Sequence, residues 1–197
     1  MRMRSRKILL SCLAVFLVSA MAEGAGQGFK PETSWKRYNN KQWGYCVSYP
    51  SRWFKGEAFE GSGIFVKTGV KKHSRAVGEI DIGALRNTAK DLDPPTPISL
   101  TENFQLHVEG LKKFERAQRF EILEKRPIEL FGNSGLFTKD RYFDPLDGAT
   151  WVDEIVLVNR RETLYTLELE CRSDQLARFE PVFAHFVSTF QLDCRTR

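Results

Sequence analysis

The sequence predicts a mixed α+β domain behind a cleavable leader, and three observations predict it. Apolar and polar residues alternate along several short segments joined by turn residues, the mark of antiparallel strands. Two separated segments space their apolar residues at helical intervals instead. The chain begins basic, then apolar, then small, which is the shape of an export signal.

Arg2, Arg4, Arg6 and Lys7 precede an apolar run from Ile8 to Ala20, and Ala20-Met21-Ala22 stands just before Glu23. A run of roughly a dozen residues is too short for a membrane span, which needs ~20. Residues 1–22 therefore read as a signal peptide cleaved near Ala22, giving a periplasmic or secreted protein. A lipid anchor through Cys12 fits poorly, because eight apolar-run residues follow Cys12 and only four precede it. Residues 23–31 are Gly-rich and read as a flexible tether, leaving 32–197 as a single domain. No later apolar stretch reaches membrane-spanning length, so the mature domain is expected to be soluble.

Trp35 to Tyr38 and Gln42 to Tyr49 read as strands around an Asn39-Asn40-Lys41 turn, with Pro50 ending the second. Strands are expected near Ile64 to Lys67 and Val77 to Leu85, separated by a basic loop. Ser99-Leu100-Thr101-Glu102 is a capping box, and the helix behind it aligns Leu100, Phe104, Val108 and Leu111. Four strands follow: Arg119 to Lys125, Ser134 to Phe143, Trp151 to Asn159 and Thr163 to Cys171. Their connections carry turn chemistry, as in Gly132-Asn133-Ser134-Gly135, so neighbours should be antiparallel. A last helix, capped by Ser173, aligns Leu176, Phe179, Phe183, Phe186 and Phe190 across Pro181. Strands with two amphipathic helices make an α+β sandwich.

The whole chain has 30 basic and 25 acidic side chains, net +5. The leader holds four of the basic residues and no acid, so the mature chain is close to neutral at +1. That removes the dense positive field that nucleic-acid binding requires. Of the cysteines, Cys46, Cys171 and Cys194 remain after cleavage, which predicts one disulfide and one odd thiol in an oxidising compartment. The last helix would span roughly 27 Å, holding Cys171 and Cys194 apart. Cys46–Cys194 is favoured, with Cys171 a buried free thiol.

The segment Trp35-x-x-Tyr38-x-x-x-x-Trp43-Gly44-Tyr45-Cys46-Val47-Ser48-Tyr49-Pro50-Ser51-x-Trp53 resembles the start of PsbP-like domains. The strand Tyr165-Thr166-Leu167-Glu168-Leu169-Glu170 and the ending Phe186-Val187-Ser188-Thr189-Phe190 resemble their close. The resemblance implies an antiparallel central sheet with helices on both sides, an α/β/α sandwich. It also implies a non-enzymatic role, in a group that spans lumenal photosystem subunits, DcrB-like bacterial envelope proteins and a nuclear Ran-binding factor. The matching positions look like core and turn residues, so no functional residue carries over.

No motif carries a recognisable reaction. There is no Gly-x-Ser-x-Gly elbow and no His-Glu-x-x-His, and Asp144-Pro145-Leu146-Asp147-Gly148 reads as a hairpin turn rather than a calcium loop. No catalytic residue, metal or cofactor is therefore expected. Lys71, Lys72, His73 and Arg75 form a basic loop that could meet an acidic partner. His185 reads as a solvated surface residue, and His107 as a half-buried, hydrogen-bonded one. Glu79/Asp81 and Glu168/Glu170 each share a strand face and are expected to pair with Lys139 and Arg141. The rings of Trp35, Tyr38, Trp43, Tyr45, Tyr49, Trp53 and Phe54 are expected to pack the first hairpin. The sequence thus predicts an exported, non-catalytic module that binds a protein partner of the cell envelope. The alternative is a small-ligand binder or hydrolase-type enzyme with a cleft near His107 or Glu79/Asp81.

Overall fold

Residues 151–158 read Trp-Val-Asp-Glu-Ile-Val-Leu-Val, and all eight are buried. A strand buried on both faces needs cover on both sides, and the rest of the fold supplies it. The computed structural model describes residues 32–58, 61–68, 77–89, 96–114 and 117–194. The leader, the tether, Cys12 and the basic loop of Lys71, Lys72, His73 and Arg75 lie outside the described residues.

The strands, in chain order, begin with β1 (Trp35–Asn40), β2 (Tyr45–Pro50), β3 (Phe54–Glu57), β4 (Ile64–Lys67) and β5 (Gly78–Arg86). Two short pieces, β6 (Thr88–Ala89) and β7 (Thr96–Pro97), lead into helix α1 (Leu100–Phe114). Four long strands follow: β8 (Gln118–Leu130), β9 (Asn133–Asp144), β10 (Ala149–Arg160) and β11 (Thr163–Arg172). A 3-10 turn (Ser173–Gln175), helix α2 (Leu176–Thr189) and β12 (Gln191–Leu192) complete the order. The main sheet has seven antiparallel strands, ordered β3-β4-β5-β11-β10-β9-β8, and a second sheet is β1-β2-β12. No helix among the described residues is long and apolar enough to cross a membrane.

Side chains on a strand alternate faces, so β10 feeds two different layers. Val156 and Val158 join the large core with Phe179, Val182, Phe183 and Phe186 of α2 and Tyr45, Val47 and Tyr49 of β2. Ile155 and Leu157 pack instead against Phe104 of α1, and Trp151 against Leu111. The expected helix-clad sandwich is therefore only part of the picture. The molecule is dominated by sheet, and the α2 face is covered by the three-stranded sheet as well as by the helix. The Trp and Tyr residues of the first hairpin belong to this core, while Phe54 is 37% exposed.

Several local expectations shift for physical reasons. β8 runs to Leu130 and contains Pro127, tolerated because β8 is an edge strand where a missing N–H costs no ladder bond. The β8–β9 hairpin turns at Phe131 (φ 50°) and Gly132 (φ 71°), both left-handed, as the strand twist of a two-residue hairpin demands. At α1, Ser99 Oγ accepts the Glu102 N–H at 3.1 Å, as a capping residue should. Ser173 makes no such bond; it opens the 3-10 turn, and α2 starts at Leu176 without a side-chain cap.

Cys194 is bonded to Cys46 across 148 residues, tying β12 to β2, while Cys171 is a buried free thiol. Closing so long a loop removes on the order of 5 kcal/mol of unfolded-chain entropy. Cys46→Ser/Cys194→Ser should therefore lower Tm by roughly 10–20 °C in calorimetry. An unchanged Tm would show that the bond contributes nothing to this core.

Candidate functional site

The face of the sheet beneath α1 is acidic. Pairing sets Glu170 opposite Glu79 and Glu168 opposite Asp81. It also sets Asp153 opposite Glu170 and Asp140 opposite Asp153. Six carboxylates from β5, β11, β10 and β9 thus share one surface, and like charges placed opposite each other in a ladder repel. The expected pairing with Lys139 and Arg141 does not occur. Odd-numbered residues of β9 point to the α2 side, so Lys139 bonds Glu154 and Glu180, each at 2.7 Å. Arg141 pairs with Glu121 of the neighbouring β8.

Two cationic or potentially cationic groups meet the acidic face. Lys67 of β4 pairs with Glu79. His107 reaches down from α1, with Nε2 3.1 Å from Asp153 Oδ2 and 4.0 Å from Glu168 Oε1. The Tyr142 hydroxyl donates to Glu170. Asp140 and Asp153 have no exposed surface, yet Asp153 Oδ1 and both Asp140 carboxyl oxygens lack a hydrogen-bond partner among the described residues. Buried groups of this kind are rare, because each costs its full desolvation.

Burial, and secondarily the charge of Glu168, pushes the Asp140 carboxyl up to about 7. Burial followed by the charges of Glu168, Asp140 and Glu170 holds Asp153 well above the usual carboxylate range. Asp81 is raised in the same way by burial and then by Glu168, Glu79 and Glu170, against which Lys67 acts weakly. Beside them a cleft of about 420 Å³ opens between Glu79, Asp81, Glu168 and Glu170 of the sheet and His107, Gly110 and Leu111 of α1. His107 is thus half-buried as expected, but its partner is a carboxylate cluster.

No family model matches the sequence, and no curated protein matches it. Among solved structures, the chain is similar to cyanobacterial PsbP (CyanoP) from Synechocystis sp. PCC 6803, with a TM-score of 0.57 at 16% identity over 86% of this chain and 98% of that one. The fold is PsbP-like. Protein PA94 from Pseudomonas aeruginosa shares it with a TM-score of 0.50 at 14% identity, over 84% of this chain and all of that one. LpqN, involved in cell envelope biogenesis of Mycobacterium tuberculosis, does so with a TM-score of 0.50 at 13% identity, over 81% and 90%.

The other described sequence candidates fall outside the cleft. His185 is not a free surface side chain; its ring stacks on Trp35 with centroids 3.7 Å apart. Asp144 and Asp147 accept backbone N–H bonds from Leu146 and Ala149, which makes their loop a hairpin turn. On the α2 side, a largely apolar groove of about 550 Å³ runs past Ile128, Phe137, Val156, Phe183 and Val187. The site residues that sequence reading missed are Asp140 and Asp153. The signal for Asp153 was an acid set in the apolar run of β10, whereas Asp140, flanked by Lys139 and Arg141 on β9, carried none.

A carboxyl raised in the fold favours folding when protonated. Its contribution is full below the unfolded value of 3.8 and is lost as pH rises through about 7. In chelator-treated protein, Asp140→Asn should therefore flatten the fall in urea-measured stability between about pH 4 and pH 8. An unchanged slope would mean that Asp140 ionises normally. Burial also pushes the Cys171 thiol up to about 12, aided by Glu154, Glu170 and Glu180. A thiol reagent at pH 8 should label Cys171 only at the rate of unfolding; fast labelling of the native protein would contradict its burial.

Proposed function

We propose that this protein is an extracytoplasmic, PsbP-like binding module of the cell envelope, and that its ligand is a small cation held in the acidic cleft under α1. The observation that carries the reading is the register of β5, β11, β10 and β9, which gathers six carboxylates on one face beside an open cleft. A surface of repelling charges is stabilised by whatever cation binds it.

The compartment is supported by the Cys46–Cys194 bond, since disulfides persist outside the reducing cytoplasm. The envelope role named for LpqN fits the same setting. The cleft has the volume of a small-ligand site. That favours an ion or small amine over the protein partner expected from the sequence.

Two measurements test it. Mass spectrometry of the exported protein should give a mature N-terminus at Glu23, and a lipidated Cys12 would overturn that part. Amide NMR titration with Zn²⁺, Mn²⁺, Ca²⁺ and putrescine should move resonances of β5, β11 and α1 for at least one of them. Asp81→Asn/Glu168→Gln should weaken that response. Silence of the cleft toward all four cations would overturn the proposal.

A further inference from the structure

We infer that His107, Asp153 and Glu168 form a binding site for one divalent transition-metal ion of the Zn²⁺ type. The inference rests on the cation-binding reading of the cleft and narrows it to an ion class and a ligand set.

Three potential ligand atoms converge. His107 Nε2 lies 3.1 Å from Asp153 Oδ2 and 4.0 Å from Glu168 Oε1, and one donor atom from each residue falls within 4.8 Å of the other two. Donors about 2.0–2.2 Å from a tetrahedral ion stand roughly 3.3–3.6 Å from one another. The two separations bracket that spacing, and the third donor pair lies within 4.8 Å. The ligands come from three different elements. β10 and β11 are central strands of the main sheet, and α1 is anchored by Phe104 and Leu111, so the frame is rigid.

The second observation is the state of the buried oxygens. Asp153 is fully buried, and its Oδ1 lacks a partner, as do both oxygens of Asp140 directly opposite in the ladder. A carboxylate in that setting calls for a compensating charge at bonding distance. A divalent ion between Asp153 and Glu168 supplies two charges where His107 can supply at most one.

The donor set selects the ion. One imidazole nitrogen with two carboxylates suits Zn²⁺ and, more weakly, Mn²⁺. Ca²⁺ and Mg²⁺ want six or more oxygen ligands and gain nothing from the imidazole. Three protein ligands leave a fourth position for water, which the cleft lined by His107 and Glu168 can admit.

The test uses the mature, disulfide-bonded protein stripped of metal by chelation and titrated calorimetrically with Zn²⁺, Mn²⁺ and Ca²⁺. Zn²⁺ should bind with one-to-one stoichiometry, at least ~10-fold tighter than Mn²⁺ and ~100-fold tighter than Ca²⁺. His107→Gln and, independently, Glu168→Gln should each weaken Zn²⁺ by at least ~10-fold. Both positions are partly exposed, so each variant should fold as the parent does. X-ray absorption of the zinc-loaded protein should show one imidazole among oxygen neighbours. Zn²⁺ affinity unchanged in His107→Gln, or a zinc shell without imidazole, would overturn the inference. If Ca²⁺ or putrescine moves the cleft resonances while Zn²⁺ ignores His107, the metal assignment fails and the cation cleft stands. If no cation binds the cleft, both fall.

Discussion

A strand buried on both faces that carries two adjacent acids forces two different solutions, and the architecture is organised by that demand. Asp153 and Glu154 of β10 are both buried and point to opposite layers. On the α2 side Glu154 is met by Lys139, which also bridges to Glu180 at the helix surface. On the α1 side Asp153 meets the imidazole of His107 on one oxygen only. A buried acid without full compensation costs several kcal/mol. Retaining one next to five further carboxylates makes sense where a cation shares the site.

The two layers divide the work. The α2 layer holds the large core, with Phe179, Phe186 and Phe190 at zero exposure, and the disulfide that fastens β12 to β2. The α1 layer is thinner, with Phe104 and Leu111 as its fully seated anchors. A fold that secures itself on one side can carry unfavourable electrostatics on the other, which is how ligand sites persist against their own repulsion.

Much of the fold was legible because periodicity and turn chemistry are local. The long strands, both helices, the Ser99 cap and the Cys46–Cys194 pairing follow from spacing and reach. The boundaries that moved, at Ser173 and at the β8–β9 turn, depend on backbone geometry that several sequences satisfy. The site was legible only in pieces. His107, Glu79, Asp81, Glu168 and Glu170 stand out one strand at a time. That Glu168 faces Asp81 is a fact of register between strands distant in sequence, and that Asp140 faces Asp153 is set by the register of the β9–β10 hairpin. Charge pairing was the natural guess for Lys139 and Arg141, and a one-residue parity on β9 sends them to the other layer.

The sheet holds buried aspartates in want of a positive charge. Carbon-13 NMR titration of the aspartate carboxyls in metal-free protein tests it most directly. Asp140 should remain largely protonated at about pH 6, where ordinary aspartates have ionised, and Asp153 should titrate above the ordinary aspartates. Ionisation of both near pH 4, in step with exposed carboxylates, would contradict the account.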